Sequence, residues 1–158
     1  MKILGLIKRN LRSASKTTKL TAYKALCRPT LEYGSPVWDP SKKGCIYDLE
    51  MVQNRAIRFI CSLKGRDASI TNTRKELNLQ TLEQRRTNSR IKLLLKMLED
   101  SHPILGDFAD SELSQHTQHQ TRAQTQHLLT SLCCNTSTFF NSFLPRTVRD
   151  LRHESDDQ

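Results

Sequence analysis

Between Lys43 and Leu63 the apolar residues Ile46, Leu49, Val52, Ala56, Phe59, Ile60 and Leu63 recur every three or four positions. At 100° per residue that spacing gathers them on one side of an α-helix, whereas a strand would scatter them over both faces. The same rhythm appears elsewhere. Ile3, Leu6, Ile7 and Leu11 form a stripe with Lys8, Arg9 and Arg12 off it, and read as the last turns of a helix. Ser15 is placed to cap a second helix carrying Leu20, Tyr23, Ala25 and Leu26. Pro29 should end or kink it near Cys27-Arg28. Gly34 and Pro36 then predict an extended connection through Val37-Trp38, and Lys64-Gly65 a stop to the third helix.

Further signals are local. Ser69 can cap a short helix over Ile70 to Leu77, with Asn78 as its stop. Thr81 with Gln84 three residues later is a capping-box pattern for a helix reaching about Asp100. On it Ile91, Leu94, Leu95 and Leu98 share one face, and Arg85, Lys92 and Lys96 lie on roughly the opposite side. The expected fold is mostly α, a small bundle of four to five helices with an irregular, partly disordered C-terminal third. Residues 110–126 are Gln/His/Thr-rich, and 127–143 show no helical period and suit a short strand pair or a meandering segment. Pro145 suits the first turn of a last short helix over Arg146 to Arg152, with a fraying tail.

Charge divides the chain. The formal net charge is +9, but residues 1–100 hold 21 Lys and Arg against 9 acids, while residues 101–158 hold 4 against 7. The expected organisation is a basic helical domain over 1–101, a polar linker over 102–126 and a C-terminal segment over 127–158. A basic domain points to a polyanion, and the RNA or DNA backbone is the expected partner. The densest basic run is Arg85, Arg86, Arg90, Lys92 and Lys96, with no acid inside it. With Arg55 and Arg58 these are the candidate phosphate contacts; a solvated helix face, or pairing with acids such as Glu50, is the competing explanation.

Other chemistry finds little support. The five cysteines form no repeated framework, and Cys27, Cys45 and Cys61 read as buried free thiols of a reducing compartment, hence of the nucleus or cytoplasm. No signal peptide is visible and no apolar run approaches the ~20 residues of a membrane span, so no membrane partner is expected. His116, His119, His127, Cys133 and Cys134 are poorly spaced for zinc, since adjacent cysteines suit tetrahedral ligation badly. No nucleophile–base pattern or glycine-rich phosphate loop occurs, and neither enzyme activity nor a cofactor or metal is expected. The chain's only Trp, Trp38, together with Tyr33 and Tyr23, could stack bases. The expectation is instead a buried aromatic anchor, with Tyr23, Arg28, Pro29, Tyr33, Trp38 and Phe59 as structural residues.

One string adds to this. Arg28-Pro29, Leu31-Glu32-Tyr33, Val37-Trp38-Asp39-Pro40, then Leu49-Glu50, Gln53-Asn54-Arg55-Ala56 and Phe59-Ile60, resembles the region after the polymerase core in LINE-type (non-LTR) retrotransposon reverse transcriptases. Ser142 to Asp150 looks like an element near the end of the same polyproteins, although Leu151-Arg152-His153 departs from the Trp-Asn and Leu-Pro usual there. The resemblance implies a thumb or post-thumb helical segment that helps grip template and primer. It also implies a polymerase core encoded upstream, as partner and as bearer of the Mg²⁺-binding Asp cluster, which this chain lacks.

Overall fold

The computed structural model describes residues 2–63, 69–99 and 134–156. It is mostly helical, and no strand occurs among the described residues. The chain divides into two compact units, Met1–Arg86 and Thr87–Gln158. The division falls inside a helix rather than at the polar segment 102–126. That segment, with Lys64-Gly65, lies outside the described residues.

In the first unit, α1 (Lys2–Asn10) buries Leu4 and Ile7. Ser15 caps α2 (Lys16–Ala22) as expected, its Oγ accepting the Thr18 N–H at 3.2 Å. Pro29 does not stop the helix. The chain passes through a π-helical turn, Tyr23–Cys27, into α3 (Arg28–Glu32), and the Arg28 N–H donates to the Tyr23 carbonyl five residues back. A proline ring inside a regular α-helix would collide with the carbonyl four residues earlier, here Ala25; the wider π turn makes room.

Gly34 follows with φ of 60°, a left-handed conformation that glycine adopts without a Cβ penalty. It reverses the chain into α4 (Ser35–Trp38). The extended connection expected here is therefore a helical turn, because Pro36 sits in its first turn, where no N–H is needed.

The central helix is α5 (Lys43–Ile60). It ends before Lys64-Gly65. Ser62 takes φ of 51°, and the Leu63 N–H bonds the Arg58 carbonyl at 2.9 Å, a Schellman-type stop. The next helix, α6 (Ile70–Glu76), is capped by Ser69 and stopped by Asn78 at φ of 49° in the same way, with Leu79 N–H to Arg74 carbonyl at 3.1 Å. Last comes α7 (Leu82–Glu99), which runs on into the second unit. Thr81 Oγ1 accepts the Gln84 N–H at 3.0 Å. The start of α7 is held by α5: Glu50 accepts the Glu83 N–H at 2.9 Å, and Gln53 donates to the Gln80 carbonyl at 2.9 Å.

The core of this unit joins α1, the π turn and α5 through Leu4, Ile7, Tyr23, Cys27, Ala56, Ile57 and Ile60, with Leu77 and Leu79 after α6. Phe59 packs against it and lies under the buried Lys19 ammonium, 5.0 Å from ring centroid to Nζ. Of the expected thiols only Cys27 is buried; Cys45 is exposed and Cys61 half-buried. Cys45 sits in the first turn of α5, whose apolar stripe points elsewhere.

In the second unit, Leu94 of α7 belongs to a small core with Leu144 and Val148. Leu95, expected on the same face, is exposed, as is Leu93. Thr136 caps α8 (Ser137–Phe140), a helical turn within the 127–143 stretch expected to form a short strand pair or a meandering segment, of which 127–133 lie outside the described residues. The terminal helix, α9 (Phe143–Asp156), is longer than the expected Arg146–Arg152, with Pro145 in its first turn.

Burial makes the first unit sensitive to base. The Tyr23 phenol is raised well above its ordinary 10.0, chiefly by desolvation and then by the Cys27 thiol and Glu32 nearby, and burial pushes the Cys27 thiol up from 9.0. For each group the native state holds its proton longer than the unfolded chain. Stability is therefore intact below the unfolded values and falls as pH climbs above about 9. Urea midpoints between pH 7 and 11 should decline on the alkaline side, and Tyr23→Phe should flatten the decline above 10.

Candidate nucleic-acid interface

The basic run expected on α7 is largely engaged with the protein's own carboxylates. Arg85 forms a bidentate pair with Glu32, its Nη2 2.9 Å from Oε2, and this bond raises the guanidinium's already high pKa. Arg86 pairs with Asp39 at 2.6 Å, and its side chain is only 1% exposed. Arg90, equally buried, pairs with Asp150 at 2.8 Å. Arg86 and Arg90 cannot meet a phosphate without being pulled out of the fold, so the row is reduced to Lys92 and Lys96, both exposed. Burial also leaves Arg86 Nη1 and Nη2 without hydrogen-bond partners among the described residues. Arg55 is exposed, and Arg58 is half-buried and already holds an interaction within the fold.

These pairs change the surface charge in a way the raw count hides. Glu32, Asp39 and Glu50 are drawn inward, the last 3.9 Å from Arg74. What remains exposed in the described part of the first unit is eight bases (Lys2, Arg9, Arg12, Lys16, Lys42, Lys43, Arg55 and Lys75) against three acids, Asp48, Glu76 and Glu83. Three of the bases, Arg9, Arg12 and Lys16, follow one another across the end of α1 and the start of α2. Sequence reasoning passed over them in favour of α7. The signal was nevertheless present: the first 31 residues contain eight Lys and Arg and no acid at all.

The structural residues divide too. Tyr23 is core, Phe59 packs on the core, and Pro29 lies beside the π turn. Arg28 is half-buried. Trp38 and Tyr33 depart from the expected buried anchor, being 41% and 85% exposed. The Trp38 indole N–H donates to the Tyr33 carbonyl at 2.6 Å. That bond satisfies the ring's one polar atom locally and leaves its apolar surface toward water.

Among the described residues no cluster of three or more His, Cys, Asp or Glu side chains is suited to a metal ion. His116, His119, His127 and Cys133 lie outside those residues. No described helix is long and apolar enough to cross a membrane. No protein-family model, curated protein or solved structure matches the chain.

Proposed function

We propose that this chain is a non-catalytic helical module that holds the backbone of RNA or DNA, of the kind its resemblance to the post-polymerase region of non-LTR reverse transcriptases implies. The supporting observation is the eight-to-three excess of exposed bases over exposed acids among the described residues of the first unit, left after Glu32, Asp39 and Glu50 are paired internally. Phosphate contact needs positive charge at the surface and little base-edge geometry, so binding should be weakly selective for sequence and strongly dependent on salt. On this reading the chemistry of polymerisation belongs to a separate core that carries the Asp cluster, and the chain works inside the cell, in nucleus or cytoplasm.

A second reading has its own support. Three arginines of α7 are bound to Glu32, Asp39 and Asp150, which makes that helix a packing element rather than a ligand surface. Under it the chain is a protein-interaction segment with no nucleic acid of its own. Titrating the full chain with a structured RNA between about 50 and 200 mM salt separates the two. Nucleic-acid binding predicts a steep fall in affinity as salt rises; an absence of binding at the lowest salt would favour the packing reading.

A further inference from the structure

The corner between α3 and α4 carries three large apolar side chains that the fold does not cover: Tyr33 at 85%, Val37 at 88% and Trp38 at 41% exposure. Full exposure of such groups is unfavourable, and aromatic rings left in water on a basic domain match the needs of nucleotide bases. The indole is also fixed in place. Its N–H is tied to the Tyr33 carbonyl at 2.6 Å, and its Cδ1 and Nε1 lie 3.9 Å from where a Cβ on Gly34 would stand. One part of the ring thus rests over the Gly34 backbone, and the hydrogen bond links it to the residue bearing the second exposed aromatic. A ring held this way loses little freedom when a base settles on it.

Charge selects the occupant. Lys42 and Lys43 are exposed just beyond Trp38, and the first unit as a whole carries 18 Lys and Arg against 7 acids. We propose that Tyr33 and Trp38 form a stacking platform for unpaired bases, with Lys42 and Lys43 against the adjoining phosphates. This rests on the nucleic-acid reading above and narrows it to single-stranded segments, because a base stacked inside a duplex has no free face to offer. Glycine serves at this corner because its φ of +60° would strain any side chain, while a Cβ there would make only ordinary contact with the indole.

Trp38 is the chain's single Trp, so its fluorescence reports the platform directly. Full-length protein should be titrated at low salt with a short single-stranded oligonucleotide, with an abasic oligomer of the same phosphate count, and with a duplex. The expected result is quenching by the first only, with Tyr33→Ala weakening single-strand affinity about tenfold, the worth of one stacked base. Duplex affinity should stay unchanged. Tyr33 is too exposed for its truncation to unfold the unit, which thermal melting would verify. Equal quenching by the abasic oligomer, or an unaltered affinity in Tyr33→Ala, would overturn the platform while leaving backbone binding intact. No binding to any oligomer would overturn both readings. A dimer in sedimentation that Tyr33→Ala and Val37→Ser abolish would reassign the patch to a second copy of this chain.

Discussion

Asp39→Ala should destabilise the first unit by about 3–5 kcal/mol, the usual cost of stranding one partner of a buried ion pair. Asp39 takes the Nε of Arg86 at 2.6 Å, and neither side chain has meaningful contact with water. Without the carboxylate the positive charge of Arg86 would remain in the interior on a guanidinium whose Nη1 and Nη2 already lack hydrogen-bond partners among the described residues. Urea unfolding followed by helical circular dichroism would measure the change. Replacing both members, Asp39→Leu with Arg86→Met, should recover most of the loss, since an apolar pair of similar bulk escapes the desolvation cost. A single variant as stable as the parent would mean that Arg86 leaves the interior readily, and would restore it as a candidate phosphate contact.

Ile57→Ala should cost about 2–5 kcal/mol, the range for removing a branched aliphatic from a closed core. Ile57 is completely buried in α5 among Ala56, Ile60 and the residues of α1 and the π turn. Neighbouring Arg55 faces solvent, and Arg55→Ala should move stability by no more than about 0.5 kcal/mol. The contrast between positions two residues apart tests whether α5 presents the face described. Equal effects at both sites would show that it does not.

These two residues also show what was legible in the chain and what was not. Ile57 lies outside the seven-residue stripe of α5; the stripe locates the helix, but only its Ala56 and Ile60 are buried, and the buried side is rotated to take in Gln53 and Ile57. Periodicity is a local property, as are the caps at Ser15, Ser69 and Thr81, each satisfied within three or four residues. The fate of Arg85, Arg86 and Arg90 was not legible. Their carboxylate partners Glu32, Asp39 and Asp150 are remote in sequence, and only tertiary folding brings them together. A basic run without internal acids therefore looked free when it was not.

Trp38 misled in the opposite sense. A lone Trp in a helical domain is normally core. Here Gly34 turns the chain so that the indole satisfies its N–H on Tyr33 and keeps much of its surface in water. At Pro29 the sequence signals an end or a kink without deciding between them, because the π turn through which the helix continues has no sequence signature comparable to a cap.

Under the proposed function, the exposed bases of the first unit, rather than the arginines of α7, hold the nucleic-acid backbone. Arg9, Arg12 and Lys16 are the test positions, since all three are exposed and none is in an ion pair with an acid among the described residues. Changing them together to Gln, and measuring the affinity of the full chain for one RNA across a range of salt, should reduce the slope of log affinity against log salt by roughly two to three units with the melting temperature unchanged. A slope that stays the same in this variant, and falls instead when Lys92 and Lys96 are changed, would contradict the claim and return the interface to α7.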